Sequence, residues 1–146
     1  MQIRISSCPD FWKDVAHLGK ITKSPLYSPT VEIETFKQLD THARVETIPL
    51  VRVIATAIVN STKDKLLDSI STKYGKQPYL TFGWEVWKMR FATDNSGKSK
   101  GLRIIFCVDG ERENVLLVLV KRKIDCANER DLQHEIFHRI SSFLNL

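Results

Sequence analysis

Cations are densest between residues 88 and 123. Lys88 and Arg90 stand two apart in a segment where Trp84, Val86, Lys88 and Arg90 alternate with Glu85, Trp87, Met89 and Phe91. A period of two puts both cations on one face of a strand. Lys98 and Lys100 follow in a glycine-containing loop, Arg103 opens the next apolar run, and Lys121-Arg122-Lys123 closes the third. Folded as an antiparallel meander, these side chains gather on one sheet face or edge. A concave basic patch of that kind attracts phosphate. The alternative reading is that Lys and Arg at strand ends protect sheet edges. Arg103 is expected to face solvent, so that its removal leaves the fold nearly intact.

A second motif implies different chemistry. His134-Glu135-Ile136-Phe137-His138 is an H-E-x-x-H run. On a helix its two His lie one turn apart and could hold zinc, with Glu135 as general base. A third protein ligand is needed, and Arg139 to Leu146 contains no His, Asp, Glu or Cys. The expectation is therefore no metal. His134, Glu135 and His138 read as the solvated side of an amphipathic helix, with Glu135 and Arg139 forming an i,i+4 pair. Cys107, in an apolar strand, reads as an inert buried thiol. Trp84 and Trp87 point to opposite strand faces, so at most one belongs to the core. Neither a Ser-His-Asp order, a P-loop nor a dinucleotide fingerprint is present.

The surrounding elements must position these residues. Residues 1–7 alternate as a short strand, with Ile3 and Ile5 on one face. Phe11, Val15 and Leu18 make the apolar stripe of a helix over 10–20, with Gly19 near its end. Ser28-Pro29 predicts a helix start over 29–41, with Val31, Ile33, Phe36 and Leu39 as its face. The run after Thr47-Ile48-Pro49 reads as either a helix or a buried strand. Ser61 to Asp64 predicts a capping box for a helix carrying Leu66, Leu67 and Ile70 and stopped by Gly75. Three strands follow, over 84–91, 101–108 and 115–120. Asp94 to Gly97 and Asp109-Gly110 supply turn chemistry. Leu132, Ile136, Ile140, Phe143 and Leu144 give a closing helix over 127–145. Helices followed by a meander indicate an α+β fold.

Part of this pattern resembles a known family. Trp87-Lys88-Met89-Arg90, then Gly97-Lys98-Ser99-Lys100-Gly101-Leu102-Arg103-Ile104-Ile105-Phe106, is similar to the RelE/ParE toxin superfamily, closest in loop style to its HigB-like branch. Val118 to Lys123 resembles that family's next strand, and Phe11-Trp12-Lys13-Asp14-Val15 with Leu18-Gly19-Lys20 resembles its first helix. The resemblance implies two N-terminal helices packed on an antiparallel meander with a C-terminal helix. It also implies the toxin of a type II toxin–antitoxin system, neutralised by a cognate antitoxin protein. RelE-type members are mRNA interferases, endoribonucleases that cut mRNA on the ribosome without a metal or other cofactor, by attack of the ribose 2′-OH on the adjacent phosphate. Carried over by motif position, Lys88, Arg90, Arg103 and Arg122 take the catalytic cation positions. Lys98, Lys100, Lys121 and Lys123 would bind RNA. Many members have Tyr or His a few residues past the later arginine. Here Ile124 to Asn128 has neither, so no general acid is assigned. ParE relatives share the fold and bind gyrase, which gives a non-enzymatic alternative. Residues 43–78 match nothing in the family pattern and read as an insertion.

Composition sets the outer bounds. The chain has 146 residues, 22 Lys+Arg, 17 Asp+Glu and a formal charge of +5. One domain with a real hydrophobic core is the expectation at this length. The basic balance, with a sequence pI near 9.2, leans toward polyanionic or acidic partners. Cys8, Cys107 and Cys126 are odd in number and widely spaced, as expected of reduced thiols in a cytoplasmic protein. No apolar run approaches the roughly 20 residues of a membrane span, and the N-terminal segment does not read as a signal peptide.

Overall fold

A computed structural model describes residues 2–74, 83–93, 101–126 and 128–145. Among the described residues five strands form one mixed sheet in the order β1-β5-β4-β3-β2. They are β1 (Arg4–Ser7), β2 (Ser71–Lys73), β3 (Trp84–Phe91), β4 (Leu102–Asp109) and β5 (Asn114–Arg122). The helices are α1 (Pro9–Thr22), α2 (Ile33–Gln38), α3 (Thr41–Thr47), α4 (Pro49–Lys63), the single turn α5 (Leu67–Ile70) and α6 (Glu129–Leu144). The α+β class predicted from the sequence is observed. β3, β4 and β5 form the expected antiparallel meander, but β1 joins β5 in parallel, so the sheet is mixed.

Two cores sandwich the sheet. One face buries Phe11, Val15 and Leu18 of α1, Val45 of α3 and Val51, Ile54 and Ile58 of α4 against Trp87, Met89, Ile104, Phe106 and Leu117. The other face is covered by α6, through Leu132, Ile136 and Ile140 on Val86, Ile105, Cys107, Leu116 and Val118. β4 is buried along almost its whole length because it is central and covered on both sides. Trp87 is core and Trp84 is partly buried on the α6 side, as period two requires.

The segment from 28 to 74 departs most from the sequence reading. Ser28 is extended and closes the short turn Pro25–Tyr27, its N–H donating to the Pro25 carbonyl (3.1 Å), instead of starting a helix. The helix begins only at Ile33 and ends at Gln38, and Ile33 is 56% exposed. Thr30 N–H is bonded to the Thr47 carbonyl (2.7 Å), which holds residues near 30 outside any helix. Asp40 starts a new helix by accepting the Ala43 N–H at 2.9 Å. The ambiguous run after Pro49 is helical despite its β-branched residues, because Leu50, Val51, Ile54, Ala55 and Ile58 form one buried stripe. Ser61 and Thr62 do not form a capping box. They lie in the last turn of α4, where the Thr62 hydroxyl donates to the Ile58 carbonyl (2.7 Å). After one turn of α5 the chain becomes β2, an edge strand the sequence pattern does not reveal. Gly75, named as the helix stop, lies outside the described residues. Within the segment read as an insertion, residues 43–74 supply core side chains and a sheet edge.

Among the described residues no single helix is long and apolar enough to cross a membrane. α3 and α4 reach that length and composition only as a pair bent by 119°. α4 also buries its apolar face in the core.

Candidate functional site

Strand register decides where the cations go. Arg90 pairs directly with Arg103 across β3 and β4, and Arg103 pairs with Lys121 across β4 and β5. Three cations thus lie in one row across three neighbouring strands, on the sheet face that α6 covers. Lys88 is on the same face, one pleat along, opposite Ile105. Like charges placed directly opposite each other destabilise a sheet.

The row opens into a cavity of about 260 Å³. Lys88, Arg90, Arg103, Lys123, Cys126 and Glu129 give it its polar lining, over an apolar floor that includes Ile105 and Leu132. Four cations therefore face one carboxylate. Arg103 is 5% exposed, so the expectation that it faces solvent is wrong; it lines the cavity together with Cys126, Glu129 and Leu132. Burial and the neighbouring Arg90 charge both lower its pKa. Gly101 makes this position reachable. A Cβ at that residue would collide with the Phe91 carbonyl oxygen, so only glycine lets β4 begin there, two residues before Arg103. The Gly101 carbonyl also accepts the Lys123 N–H (3.1 Å), which ties the turn at 123–125 to the start of β4.

The other named cations divide. Lys121 belongs to the row but is paired with Glu135 of α6 at 3.0 Å. Arg122 lies on the opposite face, as alternation along β5 requires, and is paired with Asp125 at 2.6 Å. The structure therefore does not bring Arg122 to Lys88, Arg90 and Arg103. Lys98 and Lys100 lie outside the described residues.

A β-bulge anchors α6 over the site. Ile105 pairs with Leu119 and Phe106 with Leu117, which leaves Val118 as the extra residue. Arg139 donates to the Val118 carbonyl (2.8 Å) and forms a two-pronged ion pair with Asp14 of α1 at 2.7 and 3.0 Å. Asp14 also accepts the Val120 N–H (3.2 Å). At the other end of α6, the Tyr74 hydroxyl is hydrogen-bonded to the Glu129 carboxylate, and Lys88 Nζ lies 5.4 Å from the centre of the Tyr74 ring. Neither Tyr74 nor Glu129 is marked by a sequence motif. The tertiary pairing alone brings them to the cavity.

The H-E-x-x-H residues take other roles. His134 and His138 are exposed, while Glu135 is turned toward Lys121 and Arg139, at 3.0 and 3.4 Å. The expected i,i+4 pair with Arg139 is present, but Arg139 is buried rather than on a solvated face. Among the described residues no three His, Cys, Asp or Glu side chains come together as a metal site.

Burial also sets the thiols. It pushes Cys8 up to about 11 and raises Cys107, so both remain protonated at neutral pH. Burial raises Cys126 as well, against the opposing charges of Arg103, Lys88 and Lys121.

Comparison with known proteins gives no assignment: no family model, curated protein or solved structure matches the chain at a significant level.

Proposed function

We propose that the chain is an RNA-binding nuclease of the RelE/ParE toxin type, which cuts mRNA on the ribosome and is held inactive by an antitoxin protein. The single observation that carries this reading is the Arg90–Arg103–Lys121 row with Lys88 and Lys123 beside it. Cations opposed across strands repel one another, and an anionic ligand relieves that repulsion. A phosphodiester fits the need: its charge grows as the 2′-oxygen bonds to phosphorus, and preorganised cations stabilise the growing charge. The reaction forms the O2′–P bond and breaks the P–O5′ bond, which leaves a 2′,3′-cyclic phosphate and a 5′-hydroxyl. Lys88, Arg90, Arg103 and Lys123 would hold the phosphate. The other catalytic assignment carried by the resemblance, Arg122, faces away and is left out. A cytoplasmic location accompanies this reading.

A second reading is that the chain acts by binding protein, either gyrase or an antitoxin-bound regulatory assembly. Ile124 favours it, being 75% exposed in the turn between Lys123 and Cys126, two residues that line the cavity. Exposed apolar residues beside charged ones suit protein contacts. Incubation with programmed ribosomes separates the two. Cleaved mRNA supports the nuclease. Toxicity in cells without cleavage, with gyrase or antitoxin recovered on the protein, supports the second reading.

A further inference from the structure

We infer that Glu129 is the proton acceptor of the cationic cavity, positioned by Tyr74. This rests on the nuclease reading above and deepens it. Attack by a 2′-hydroxyl requires a group that can take its proton. Arginine stays protonated in proteins, and lysine is a cation at neutral pH. The Cys126 thiol is raised by burial and keeps its own proton. Among the described residues lining the cavity, Glu129 is the one carboxylate.

Its placement fits the task. Glu129 is the first residue of α6, yet it does not cap the helix. Asn128 does so by accepting the Asp131 N–H at 3.0 Å. The Glu129 carboxylate is held instead by the Tyr74 hydroxyl. Tyr74 is fixed to the sheet by its N–H, which donates to the Val86 carbonyl (2.6 Å), and its ring lies beside Lys88. The pair thus joins α6 to the sheet edge at the margin of the cavity. A carboxylate with one oxygen occupied by a phenol still has lone pairs for a 2′-hydroxyl. Glu129 takes the 2′-proton as O2′ bonds to phosphorus. The P–O5′ bond breaks, O5′ takes a proton from water, and Glu129 returns its proton to water. Lys88, Arg90, Arg103 and Lys123, all lining the same cavity, hold the phosphate oxygens.

Single-turnover cleavage of labelled mRNA on programmed ribosomes, measured beside affinity for a single-stranded RNA, tests this. Glu129→Gln keeps the size of the side chain and its bond to Tyr74. It is expected to slow cleavage about 10²–10⁴-fold, the usual contribution of a general base, with RNA affinity equal or tighter because one negative charge is gone. Glu129→Asp is expected to retain measurable cleavage, well above that of the Gln variant. Tyr74→Phe is expected to lower the single-turnover rate severalfold at unchanged RNA affinity, a split that a purely structural role would not produce. If Glu129→Gln cuts like wild type while Lys88→Ala does not, or if the Gln and Asp variants fall equally, the assignment of Glu129 fails and the nuclease reading stands. If wild type binds RNA and cuts nothing, both fail.

Discussion

Arg90 and Arg103 face each other directly across two antiparallel strands, with Lys121 on the far side of Arg103. Cross-strand pairs are the unit of sheet stabilisation, and like charges in that position oppose it. Arg103 is also buried, and its charge is disfavoured both by burial and by Arg90. Like charges so placed repel one another, and an anion bound between them would offset that repulsion.

Arg103→Met follows from this directly. Methionine fills much of the same volume and removes the central charge. The variant loses the Arg90–Arg103 repulsion and is expected to stay folded, with a stability within about 1 kcal/mol of wild type. Urea unfolding checks it. A larger loss of stability would mean that the guanidinium serves the fold rather than a ligand.

Salt dependence gives an independent check on the cations. Each phosphate contact to a single strand contributes about −0.7 to the slope of log Kobs against log salt. Lys88, Arg90, Arg103 and Lys123 hold one phosphate in the cavity, so a slope of at least about −0.7 is expected for single-stranded RNA, steeper where flanking phosphates are also contacted. Arg90→Ala is expected to make it shallower. Fluorescence anisotropy titrations across a salt series measure both. An unchanged slope in the variant would remove Arg90 from the interface.

The meander was legible because its residues alternate cleanly from Trp84 onward, and period two also separates Lys121 from Arg122 onto opposite faces. The site was legible only in part. Lys88 and Arg90 could be grouped from spacing, but their junction with Arg103 depends on register. Tyr74 and Glu129 are brought together over 55 residues by α6 crossing the sheet. Near residue 29 the local start signal Ser28-Pro29 points to a helix, but a long-range bond, Thr30 to Thr47, overrides it. β2 was missed because Ser71–Lys73 is too short to show a period, and its pairing with β3 makes it a strand.

The Asp14–Arg139 pair joins α1 to α6 across the sheet, with side chains 10% and 8% exposed. Asp14→Ala leaves a buried guanidinium with only the longer contact to Glu135 and the Val118 carbonyl. Breaking such a buried pair costs about 3–5 kcal/mol, and a value near the lower end is expected because those partners remain. Urea unfolding measures it. A cost below about 1 kcal/mol would show that α6 is held by its apolar face alone.

Asp109 supplies a pH-dependent element at the β4–β5 turn. Burial on its own would raise its pKa. The Asn114 side-chain amide and the N–H groups of Asn114, Glu113 and Arg112 outweigh that and hold it below 3.8. A depressed folded pKa contributes stability that is complete above the unfolded value and is lost as pH falls through the folded one. Asp109→Asn is therefore expected to be less stable than wild type at pH 7, with the gap closing below pH 3.8. Thermal melts from pH 7 to pH 2.5 follow it. A gap independent of pH would place its cause in altered hydrogen bonding alone.

The most direct measurement is cleavage of mRNA on programmed ribosomes by wild type and by Arg103→Met, each first shown to be folded. Wild type is expected to cut, and the variant to lose about 10²–10³-fold in rate, as when one preorganised charge-stabilising group is removed. Equal cutting by both proteins would contradict a role for the cation row, and no cutting by either would contradict the nuclease.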